Sequence, residues 1–100
     1  MGFFDFLKPR NKEFVESCWP GGKMLQVHME YDTQKLIFTY IGRYGLQFRV
    51  PKADVTDIIV KEVSRTHSVI QIYRGEACVG TTDIIPTEAC ETIKNWMLEF

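Results

Sequence analysis

The hydrophobic period of the chain changes once, at Ile85-Pro86. Upstream, apolar residues recur at every second position, and downstream at every third or fourth. Period two sends successive side chains to opposite faces of a strand, whereas period 3.6 lines one side of a helix. The pattern therefore predicts a sheet followed by a single helix. In that helix Ala89, Ile93, Trp96, Met97 and Phe100 form one stripe, with Glu88, Thr92, Asn95 and Glu99 turned to water. Pro86 and Thr87 supply its start, and Glu88 and Glu91 put negative charge in its first turns, where the helix dipole favours it. An apolar stripe must cover an apolar surface, and the sheet is the one available.

Upstream, Leu25, Val27, Met29 and Tyr31 alternate with Gln26, His28, Glu30 and Asp32, which predicts a strand with one wet face over Lys23 to Asp32. Trp19-Pro20-Gly21-Gly22 before it opposes regular pairing and predicts a loop. After Asp32-Thr33-Gln34-Lys35 a second strand runs from Leu36 to Ile41, which makes a hairpin. Gly42-Arg43-Tyr44-Gly45 turns the chain into Leu46–Val50, which Pro51 ends by removing a ladder donor. Beyond Lys52-Ala53-Asp54, Val55 to Val63 reads as a longer strand, with Ile58 and Val60 on one face and Ile59 on the other. Val69 to Tyr73 and Ala77 to Ile85 follow as a hairpin closed by Arg74-Gly75-Glu76, and Gly80 marks a bulge or bend. Phe14 to Trp19 offers one strand more.

At 100 residues and 45% hydrophobic content, the chain has material for one core and no room for a second domain. The fold expected is α+β or mainly β. It is a strongly bent antiparallel sheet or partial barrel of six to seven strands, capped by one C-terminal helix. This domain spans residues 23–100 and follows an N-terminal aromatic and basic segment and loop over 1–22.

The chemistry-bearing residues form no constellation. His28 on a wet strand face and His67 in a turn stand at no metal-ligand spacing from Cys, His or carboxylate. Cys18, Cys78 and Cys90 lack a nucleophile motif and, being odd in number and far apart, fit a reducing compartment as buried thiols. No Gly-rich phosphate loop opens a helix. The expectation is a non-enzymatic protein with no catalytic residue, metal or cofactor. Twelve Lys and Arg are spread without a run and the net charge is −1, which argues against nucleic acid as the main partner. Arg43, Tyr44 and Arg49, with Tyr40 near, mix aromatics and cations as single-strand binders do, but the charge balance favours cross-strand packing.

The run of short antiparallel strands, the sequence Val50-Pro51-Lys52-Ala53-Asp54-Val55-Thr56-Asp57-Ile58 and the final amphipathic helix with Trp96 resemble the bacterial PH-like (pleckstrin homology-like) families. In those families a strand ends in an Ile/Val-Pro pair, an Asp-Ile/Val pair opens the next, and a C-terminal helix plugs one end of a bent sheet. The resemblance covers residues 23 to 100. It departs at the inositol phosphate signature, because Phe38, Thr39 and Tyr40 stand where basic residues would fall. No lipid-binding residue carries over.

In the first dozen residues Phe3, Phe4, Phe6 and Leu7 precede Lys8 and Arg10, an apolar cluster followed by cations that suits docking on the protein's own core, on a partner or in a membrane interface. Phe6 stands where myristoylation would want Ser or Thr. No stretch reaches a membrane span and no signal-peptide order is visible, so a cytoplasmic protein, peripheral to a membrane at most, is expected. The functional expectation is a PH-like module that binds a protein. An edge strand of its sheet would take a peptide beside the helix. The alternatives are an immunity or inhibitor protein that masks another protein, and a small ligand carrier or enzyme. The residues set no oligomeric state and name no partner.

Overall fold

The structure, a computed structural model, describes residues 12–18 and 26–100, with the backbone alone described for 12–18 and 26. Strands β1 (Lys12–Cys18), β2 (Gln26–Asp32), β3 (Ile37–Gly42) and β4 (Gly45–Pro51) form one antiparallel sheet in that order. Strands β5 (Asp57–Glu62), β6 (His67–Arg74) and β7 (Ala77–Thr81) form a second, and the two-residue β8 (Ile85–Pro86) pairs with β6 beside β7. Helix α1 (Thr87–Met97) ends the chain's regular structure. The described residues are thus mainly β, with two antiparallel sheets and one C-terminal helix. The strand β1 lies within the 1–22 segment and pairs with β2 along its whole length.

Local chemistry sets each turn. Asp32 Oδ1 accepts from Gln34 N at 2.9 Å and Lys35 N at 3.0 Å, so one side chain caps the β2–β3 turn. Leu36 closes that turn at φ 59°, a left-handed conformation that a branched side chain seldom takes and that periodicity cannot reveal. Between β3 and β4, Arg43 and Tyr44 form a two-residue loop, and Gly45 supplies φ 100°. Past this loop Gln47 is an extra residue in β4, a bulge that shifts the β3–β4 register between Tyr40 and Ile41.

The sequence places one strand over Ala77 to Ile85, whereas the structure breaks it in two. Val79 bulges next to Gly80. Thr82 then takes over the ladder, its N–H donating to Ile70 O at 3.0 Å and its Oγ1 accepting from Ile70 N at 2.9 Å. A side chain substitutes for a backbone rung, which leaves Asp83 free to turn away from the sheet.

The core lies between the inner faces of the two sheets and α1. Val27, Met29, Tyr31, Phe38, Tyr40 and Val50 come from the first sheet, Ile58, Ile70, Ile72 and Ile85 from the second, and Ala89, Cys90, Ile93 and Met97 from the helix. Trp96 and Phe100 are only half-buried, and they pack with Phe38 and Tyr31 in an aromatic cluster with ring centroids 4.3 to 6.3 Å apart. The sheets meet where β4 approaches β7: the ring of Phe48 stacks on Tyr40 at 5.3 Å and lies against Gly80.

Candidate functional site

Phe3, Phe4, Phe6, Leu7, Lys8 and Arg10, the contact residues proposed from sequence, lie outside the described residues. The remaining chemistry is dispersed. His28 Nε2 lies 3.1 Å from Glu30 Oε1, and His67 Nδ1 lies 2.7 Å from Thr66 Oγ1. Cys78 is exposed on β7, a correction to the expectation that the cysteines are buried, with its thiol beside Gly80 O and Thr81 Oγ1. Cys90 is buried, and burial, with Glu91 beside it, pushes its thiol up to about 11, away from nucleophilic use. Among the described residues no group of three potential metal ligands assembles. No described helix is long and apolar enough to cross a membrane.

What does assemble is the outer face of the first sheet. Register places side chains there in cross-strand rows: Asp32, Ile37 and Pro51; Glu30, Thr39 and Arg49; His28, Ile41 and Leu46. A groove of about 410 Å³ opens over this face, lined by Glu30, Asp32, Lys35, Thr39, Ile41, Leu46 and Arg49. Its β2 side is acidic, Arg49 on β4 and Lys35 in the turn are basic, and Ile41 and Leu46 give it an apolar end. Leu46 is 60% exposed, and just beyond it the hairpin loop presents Tyr44 at 84% exposure, with the Arg43 guanidinium carbon 5.5 Å from the ring centroid.

The loop is held from behind by a single carboxylate. Asp83 Oδ2 accepts from Arg43 N at 2.8 Å and from Tyr40 Oη at 3.3 Å. The Gln47 amide, oriented with its nitrogen toward Asp83, donates to Oδ2 at 2.7 Å and Oδ1 at 2.9 Å. Burial, and then the negative charge of Asp83, raise the Tyr40 hydroxyl above its ordinary value, so it remains a donor. Gly42 lies under this contact, where a Cβ would run into Asp83 and Gln47. The bulge at Gln47 and the break at Thr82 thus serve one end: they bring a hairpin tip and a distant carboxylate together.

The sequence singled out Arg43, Tyr44 and Arg49 as one surface, and they are exposed. Tyr40, grouped with them there, is instead fully buried on the inner face, because alternation turns it away from Thr39 and Ile41. Asp83 was missed. The available signal was a lone carboxylate interrupting an apolar run, with Ile84 and Ile85 after it. Comparison with protein-family models, curated proteins and solved structures gives no match.

Proposed function

We propose that the protein is a non-enzymatic, PH-like interaction module that binds a protein partner through the outer face of its first sheet. The observation that carries this reading is the Asp83 clasp, which fixes the Arg43-Tyr44 tip beside Leu46 and Ile41. Tyr and Arg are the side chains most often found to dominate interface energetics, and a preformed loop loses little freedom on binding. The mixed charges of Glu30, Asp32, Lys35 and Arg49 suit a polar rim and not an anionic lipid headgroup, which would want convergent cations. The two antiparallel sheets, with the C-terminal helix packed on their core, support the PH-like reading, in which a helix closes one end of a bent sheet. The N-terminal Phe3, Phe4, Phe6, Leu7, Lys8 and Arg10 add a second contact that keeps the module near a membrane.

The test is a comparison of the protein with its Tyr44→Ala and Leu46→Asp variants in affinity capture from native host lysate, followed by titration of the purified captured protein. Both variants should keep the parent's melting temperature and lose the partner. Undiminished binding by both would exclude this face. Selective, salt-sensitive sedimentation with phosphoinositide vesicles would replace the protein partner with a lipid.

A further inference from the structure

Strand β5 ends the second sheet, and among the described residues it pairs with β6 alone. Its two faces differ. Ile58 is buried and Val60 half-buried toward the core, against which α1 packs. Asp57, Ile59 and Lys61 lie on the outer face, all exposed, with Ile59 at 40%. The ladder also fixes which backbone groups are spent. Val63 N donates to His67 O one rung beyond the Glu62–Ser68 pair, so the odd-numbered residues of this strand bond toward β6. The amide and carbonyl groups of Ile58, Val60 and Glu62 therefore point away from the sheet. The Ile58 N–H is covered locally, by Asp57 Oδ1 at 2.9 Å.

We propose that this edge pairs with the β5 edge of a second copy, antiparallel, about a two-fold axis at Ile59. In that register Ile58 and Val60 of opposite copies face each other, and each Val60 N–H reaches the Ile58 carbonyl of the other copy while the Ile58 N–H stays on Asp57. Ile59 meets Ile59, and each Asp57 meets Lys61 of the other copy, twice by symmetry. The register is selected by charge. Sliding by one hydrogen-bonded rung in one direction sets Asp57 against Val63 and Lys61 against Ile59; the other direction sets Asp57 against Ile59 and Lys61 against Val55. A parallel pairing in register would set each charge against its like. Only the Ile59-centred antiparallel arrangement satisfies both charges and closes as a dimer.

The occupant is a second copy because the edge needs a strand reading Lys, apolar, Asp at alternate positions in the antiparallel sense, and β5 itself supplies that order. Charged residues usually blunt an edge strand against association. Here an acid and a base stand symmetrically on either side of an exposed isoleucine, which turns the same device into self-recognition. The outer face of the first sheet stays open in each copy, so this dimer is independent of the partner proposed above.

The full chain is followed by light scattering and analytical ultracentrifugation from low to high micromolar concentration, at low and high salt. The parent should dimerise with rising concentration, less so in high salt. Lys61→Asp alone and Asp57→Lys alone should each associate about tenfold more weakly or worse, because two facing opposite charges become two like charges. An equimolar mixture of the two variants should recover association, since each then supplies what the other lacks. If either variant fails to fold, amide exchange in the parent decides: the Val60 amide should slow with concentration. A parent that stays monomeric, a dimer indifferent to Lys61→Asp, a variant mixture of folded chains that does not associate, or concentration-independent exchange would each overturn the proposal.

Discussion

The backbone N–H of Arg43 donates to the carboxylate of Asp83 at 2.8 Å, across forty positions of sequence. The same carboxylate takes the Tyr40 hydroxyl and the Gln47 amide, so it ties the β3–β4 hairpin to the break between β7 and β8. Asp83→Ala should cost about 1–3 kcal/mol in urea unfolding, because it strands the buried Tyr40 hydroxyl and takes a charged acceptor from the exposed Arg43 N–H and Gln47 amide. Asp83→Asn keeps one acceptor oxygen and should recover part of that loss. A cost for Asp83→Ala near zero would mean that the tip is held by packing alone.

A second contact closes the same seam. A Cβ on Gly80 would stand 2.9 Å from the Phe48 ring, closer than carbon atoms tolerate. Gly80→Ala should therefore destabilise by about 1–3 kcal/mol, the usual range for overpacking. Phe48→Leu should relieve the clash, so that the double variant is less destabilised than the sum of the singles. Additive losses would place the strain elsewhere.

Most of the strand pattern was legible because alternation is local: Val27, Met29 and Tyr31 are buried while His28 and Glu30 reach the wetter side, as their spacing requires. The switch to period 3.6 after Ile85 likewise located α1. What could not be read were features that depend on distant chain. Thr82 replaces a backbone rung only because Ile70 is opposite it, Asp83 finds Arg43 only after the hairpin has bulged at Gln47, and Leu36 adopts a positive φ because Asp32 has already capped its turn. The groove shares that origin, since its rows come from three strands whose register no single run reveals. Phe3 and its neighbours were legible as an unusual cluster and lie outside the described residues.

Helix burial sets an order of sensitivity that the stripe alone did not. Ile93 is fully buried in the core, whereas Trp96 is half-buried and meets Phe38 and Phe100 edge-on. Ile93→Ala should cost about 2–5 kcal/mol. Trp96→Ala should fall below the roughly 3–5 kcal/mol of a fully buried Trp, because part of the indole never leaves water. Chemical denaturation of both variants checks the order. A larger loss at Trp96 would show that the aromatic cluster with Tyr31, Phe38 and Phe100, and not the helix–sheet contact, holds α1 in place.

The two described thiols should part sharply in reactivity and in their dependence on pH. Cys78 is exposed and Cys90 is fully buried, so in a Cys18→Ser background one thiol should react with an aromatic disulfide reagent in the folded protein and the second only on unfolding. Burial raises Cys90 from its ordinary 9.0 to about 11, so the folded chain holds a proton there that the unfolded chain releases first. Stability tied to this group is fully present below about pH 9 and is lost as pH rises toward about 11, because the unfolded state then binds fewer protons. Cys90→Ala should lower stability at neutral pH by leaving a small void, and should flatten the decline across that window. Denaturation midpoints measured from neutral to alkaline pH decide it: an equally steep decline in Cys90→Ala would assign the alkaline sensitivity to Tyr40, whose hydroxyl is also raised by burial and by Asp83.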